Sequence, residues 1–155
     1  MTPSTHALRV ERLLDAPADQ IFEAWTNPDH MAQWYHFNDE WKIVRVESDA
    51  RVGGRYRVSW QAPDGKLWHE LGEYRVIDPP RKLVMTCSFD FPDFQENETL
   101  LSVELTQRGE QTLLVIVQEG YRHQENRDNH QQGWPGFLDQ LAGYLAAHKA
   151  RASQD

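Results

Sequence analysis

The 155-residue sequence predicts an α+β domain in which a curved antiparallel sheet of about seven strands grips one long C-terminal helix, with two short helices after the first strand. Three observations carry this expectation. Trp134, Phe137, Leu138, Leu141, Leu145 and His148 recur at offsets of three and four, which puts them on one helical face that needs a large apolar partner. From Trp41 onward the chain reads as strand segments separated by turn residues until that helix begins. Before them, residues 15 to 35 carry a helical spacing broken by prolines.

Residues 7 to 14 alternate loosely, with Leu8, Val10 and Leu14 on one side and Arg9 and Glu11 on the other, as in a half-buried strand. Pro17 suits a first helical position, and Ile21, Phe22 and Trp25 form the stripe of a short helix. Asn27 caps a second short helix over 28 to 35, with Pro28 behind it and Met31, Trp34 and Tyr35 on its apolar side. Six strands follow near 41–48, 54–61, 67–77, 82–89, 98–107 and 112–119. The cleanest alternation is Tyr56, Val58 and Trp60 against Arg55, Arg57 and Ser59. Pro63-Asp64-Gly65, Asp78-Pro79-Pro80 and Arg108-Gly109-Glu110 break the strands, and such short connections imply antiparallel neighbours. In the strand over 67–77, Trp68, Tyr74 and Val76 compete with Leu67, Leu71 and Ile77 for the inner face, which points to a bulge and leaves the register open.

The last helix is expected over 128 to 148, capped by Asn126 or Asp128. Pro135 then falls in its interior, where it deletes a backbone bond to Gln131 and kinks the helix. The competing reading makes Pro135 the first residue of a shorter helix, with Trp134 as a poor cap.

The length fits one domain over residues 1–155, large enough to bury a core or enclose a pocket. A net charge of −8 without a basic cluster argues against nucleic acid. The apolar runs are too short for a bilayer and no signal-peptide pattern opens the chain, so the expected location is cytoplasmic, with no membrane partner. The single cysteine, Cys87, excludes an intramolecular disulfide and agrees with a reducing compartment.

The seven histidines show no paired ligand spacing, so no metal site is expected. No phosphate loop, nucleophile elbow or dinucleotide fingerprint occurs, so no cofactor is expected either. His69, in mid-strand, reads as a solvated or satisfied histidine or else as a groove-facing acid or base. Cys87 reads as a small core residue rather than a nucleophile. Acidic residues are placed on solvent-facing strand positions. Seventeen aromatic residues (six Trp, five Tyr, six Phe) suit either a packed core or the walls of an apolar cavity. Gln118 is a candidate polar contact inside it. Phe89, Phe91, Pro92 and Phe94 suit a lid over its mouth, or a loop pinned by burying those rings.

One resemblance runs through nearly the whole chain. Asp15-Ala16-Pro17 with Ile21-Phe22-Glu23-Ala24-Trp25, Asn27-Pro28 with Trp34, and Gly53-Gly54-Arg55-Tyr56 come first. Gly72, Ile77-Asp78-Pro79-Pro80 with Leu83, Glu119-Gly120, and His130 with Gly133-Trp134, Leu138, Leu141 and Tyr144-Leu145 follow. In this order the pieces resemble the helix-grip superfamily of START-like and birch-pollen-allergen-like (SRPBCC) proteins, and within it the Aha-type domain, named for an activator of the ninety-kilodalton heat-shock chaperone's ATPase. Cys87 and Pro135 depart from that pattern, where an aromatic residue and a helix former are usual. The resemblance implies a cavity between the C-terminal helix and the sheet that takes a small apolar or aromatic molecule. The expected ligand-binding set is Trp34, Tyr56, Trp60, His69, Met85, Cys87, Gln118, Trp134, Phe137 and Leu138, with Trp34 at the rim and no catalytic residue. Two alternatives stay open: a protein-interaction module with a chaperone or other protein partner, and a cyclase- or hydratase-like enzyme using His69.

Overall fold

The computed structural model describes residues 6–89 and 98–152, and side chains as far as residue 148. In chain order the elements are β1 (His6–Leu14), α1 (Ala18–Thr26), α2 (Pro28–Trp34), β2 (Lys42–Ser48), β3 (Arg55–Gln61), β4 (Leu67–Asp78), β5 (Lys82–Phe89), β6 (Thr99–Arg108), β7 (Gln111–Tyr121) and α3 (Gln124–Ala152). The seven strands form one antiparallel sheet in the order β1-β7-β6-β5-β4-β3-β2. Because β1 and β2 lie at opposite edges, the chain between them must cross the sheet, and α1 and α2 are that crossing. Gly65 and Gly109, both at positive φ, turn the β3–β4 and β6–β7 hairpins where turn residues predict them.

Local chemistry sets the helix starts. Asn27 accepts a bond from the Asp29 amide and Pro28 takes the first helical position, as the sequence predicts. Pro17 is the residue before α1 rather than its first, and the freed Ala18 amide donates 2.7 Å to Oε1 of Gln107 on β6. The C-terminal helix starts at Gln124, four residues before the expected start, so Asn126 and Asp128 lie inside it and cap nothing. Its first turns carry polar residues rather than an apolar stripe, so hydrophobic periodicity does not mark them. Those residues bind the outer edge of β1: Arg127 Nε donates 2.8 Å to the Ala7 carbonyl and Gln131 Nε2 donates 3.4 Å to that of Arg9. The outward carbonyls of an edge strand have no ladder partner, so α3 supplies donors to them. The helix is unbroken through Pro135, which excludes the shorter-helix reading.

The core lies between the concave face of the sheet and the α3 stripe. Trp134, Phe137, Leu138, Leu141 and Leu145 are buried in one core cluster with Val58 and Trp60 of β3, Leu101 and Val103 of β6, and Leu114 and Ile116 of β7. Each such side chain contributes about 1.5 to 3 kcal/mol by leaving water. The ambiguity in β4 is resolved by an irregularity between Tyr74 and Val76. Before it Trp68 and Tyr74 face the core, and after it Ile77 does, opposite Leu83, while Val76 is turned out.

Candidate ligand site

The β3–β4 register decides what the concave face holds. Tyr56 pairs with Gly72, Val58 with Glu70 and Ser59 with His69. Paired residues share a face, so Glu70 and Gly72 join Tyr56 and Val58 inside, and His69 points the other way. A carboxyl group in that position needs donors, since burying one unsolvated is expensive. Glu70 is 4% exposed, and the hydroxyls of Tyr35 and Tyr56 both donate to its Oε2, at 2.7 and 2.8 Å. Gly72 makes the second bond geometrically available, because the Tyr56 ring lies where a side chain on residue 72 would stand. Tyr35 sits just beyond α2, its carbonyl accepting from Nε1 of Trp60 and its ring stacked on that indole at 6.3 Å.

Above this carboxyl lies a cavity of about 250 Å³ between α3 and strands β4 to β7. The rings of Tyr35, Phe37, Phe89, Trp134 and Phe137, with Leu101, Cys87 and Gly133, make most of its wall; Glu70, Gln118, Asn129 and His130 are its polar members. Phe37 packs over Gly133, its two nearest ring carbons 3.7 and 3.8 Å from where a Cβ would stand, an ordinary van der Waals contact. A cavity of about 150 Å³ admits benzene, and drug-sized ligands use about 300 to 1,000 Å³, so the space fits one or two rings.

The polar groups are fixed by their neighbours. Gln118 donates to Oγ1 of Thr99 at 2.9 Å and accepts from Nε1 of Trp134 at 3.2 Å, so the indole is held at the wall. Burial pushes the Glu70 carboxyl above its ordinary value, while bonds from Tyr35, Tyr56 and Cys87 pull it back in part. Burial first, and then Glu70, push the Cys87 thiol well up, which keeps it protonated and unsuited to nucleophilic attack. His130, hydrogen-bonded to the Tyr121 hydroxyl, is lowered to about 4 by burial and stays neutral at pH 7.

Of the ten residues expected to bind a ligand, Cys87, Gln118, Trp134 and Phe137 stand in the cavity wall. Trp34, Tyr56, Trp60, Met85 and Leu138 are buried behind it. Trp34 is not at a rim: it is fully buried, its Nε1 donating 2.8 Å to the Ala24 carbonyl and its ring edge-on to Trp25 and Phe137. Packing of α1, α2 and α3 against one another closes over it. His69 lies on the opposite face, 2.7 Å from Oγ of Ser59, so it cannot serve the cavity as acid or base. The expectation that acidic residues all face solvent fails at Glu70. Its signal was the parity of Trp68, Glu70, Gly72 and Tyr74, together with a glycine in mid-strand. Phe89 lies in the wall with its ring against His130, whereas Phe91, Pro92 and Phe94 of the expected lid fall outside the described residues.

Among the described residues no three His, Cys, Asp or Glu side chains stand together as a metal site, and no helix is long and apolar enough to cross a membrane. The fold is close to that of a protein from Chromobacterium violaceum, with 28% identity, a TM-score of 0.81, and coverage of 90% of this chain and 96% of that one. A Rhizobium leguminosarum protein matches at 25% identity and a TM-score of 0.79 over 93% and 96% of the two chains. An AHSA1-like protein from Aeromonas hydrophila shares the fold at 21% identity and a TM-score of 0.77 over 93% and 94%. No curated protein matches the sequence significantly. Residues 15–146 match the family described as Activator of Hsp90 ATPase homolog 1-like protein, and with the helix-grip architecture this places the chain in that family.

Proposed function

We propose that this domain binds a small, largely apolar or aromatic molecule in the cavity between α3 and the sheet. The observation that carries the reading is the cavity itself: about 250 Å³, walled by five aromatic rings and held open beside a layer of hydrogen-bonded polar groups. Apolar walls with a few convergent polar groups are the usual composition of a small-molecule site. Family membership agrees, since proteins of this superfamily commonly bind ligands.

The test is a set of one- and two-ring compounds (indole, naphthalene, 2-phenylethanol) measured by melting temperature and tryptophan fluorescence. A compound at a hundred times its dissociation constant adds about 2.7 kcal/mol of stability, a shift that is readily seen. Trp134 faces the cavity, so its emission should respond. Leu101→Phe, which fills the space from the β6 side, should abolish both effects. If no compound shifts either signal in the wild-type protein, the proposal fails.

A further inference from the structure

Glu70 has three hydrogen-bonding neighbours, Tyr35, Tyr56 and Cys87, and each of them is neutral. Among the described residues no Lys, Arg or His forms an ion pair with it, and the segment 90–97 contains none of these residue types. A buried carboxylate is ordinarily paired with a cation. Here the phenols both approach Oε2, in the geometry that suits an acceptor, and the carboxyl forms part of the cavity wall. Its surroundings there are aromatic rings, and a ring's face attracts cations through its quadrupole. The chain as a whole carries −8, which favours the approach of a cation over that of an anion.

Resting on the cavity-binding reading above, we infer that the ligand is a small organic amine: a protonated nitrogen that pairs with Glu70 and an apolar body that lies against Trp134 and Phe137. The amine supplies the positive charge that no described residue brings to Glu70. The ligand's ring or chain fills the apolar remainder of the space. A bound ammonium holds Glu70 ionised against the upward push of burial, whereas a carboxylate of the same shape adds a like charge to the site and is rejected.

The probes are phenethylamine and tryptamine, each compared with the alcohol of the same skeleton and with 3-phenylpropanoate, by calorimetry near neutral pH. The wild-type protein should prefer each amine over its alcohol by about tenfold or more, the ratio that one charge-assisted bond provides. The carboxylate should not bind. Glu70→Gln should lose the preference for amines, bringing the amine-to-alcohol ratio to about one. Its folding is checked by near-ultraviolet circular dichroism, and the wild-type amine-to-alcohol ratio needs no variant at all. Equal affinity for amine and alcohol in the wild-type protein, or tighter binding of the carboxylate, overturns the inference and leaves the cavity reading standing. Failure of every probe, alcohols included, overturns both.

Discussion

The Tyr56 ring occupies the place of a side chain on Gly72: a Cβ there would lie 2.3 Å from the ring and 2.0 Å from the Thr86 carbonyl oxygen. The contact lets the tyrosine hydroxyl reach Glu70 across the strand pair. Gly72→Ala should therefore push the ring aside and cost about 1 to 3 kcal/mol, the usual range for overpacking. Gly143, on α3 with open space around it, is the matching control. Gly143→Ala should stabilise by about 0.5 to 1 kcal/mol through helix propensity. Urea unfolding of both variants checks the pair; equal and small effects would remove the claimed role of Gly72.

Leu141 lies at the centre of the gripped face with no exposed surface. Leu141→Ala should cost about 2 to 5 kcal/mol, as other fully buried leucine truncations do. A cost under about 0.5 kcal/mol, the range of surface changes, would mean that the helix is not gripped as described.

Pro135 is exposed on α3, where it withholds one backbone donor from the Gln131 carbonyl. Pro135→Ala restores that donor and should raise stability by up to about 3 kcal/mol. Thermal unfolding measures it. A loss of stability would show instead that the backbone bends there because the grip demands it.

Glu70 and His130 give the protein two opposed titrations. Glu70 is held above the ordinary 4.5 chiefly by burial, so the native state keeps its proton longer than the unfolded chain does. Its contribution is complete below pH 4.5 and declines as pH rises through the native value. His130 runs the other way. Burial lowers it from 6.5 to about 4, so the unfolded chain takes a proton first and stability is lost as pH falls from 6.5 to about 4. At about 1.4 kcal/mol per unit, and for a ring only partly buried, that loss is of the order of 2 to 3 kcal/mol. His130→Gln should flatten the acid limb and Glu70→Gln the opposing slope above pH 4.5, read from denaturant unfolding across about pH 4 to 8.

The order of elements, the gripped helix and its buried face were legible in the sequence because periodicity and capping are local. Asn27-Pro28 starts a helix through its own side chain, and Tyr56, Val58 and Trp60 alternate whatever lies beside them. The site was only half legible for a related reason. His69 and Glu70 are neighbours in one strand, so choosing which of them faces the cavity is a choice of register, and a shift of one residue exchanges them. That choice is made by pairing with β3 and by the irregularity after Tyr74, neither of which β4 encodes alone. Trp34 likewise belongs to an apolar stripe that the sequence shows plainly, yet its depth depends on three helices meeting over it. Sequence patterning decided which side chains avoid water. Only the assembled sheet and helix decided which polar group is buried with them, because the burial of Glu70 becomes tolerable only when Tyr35, thirty-five residues earlier, and Tyr56, on the facing strand, bring their hydroxyls to the same oxygen.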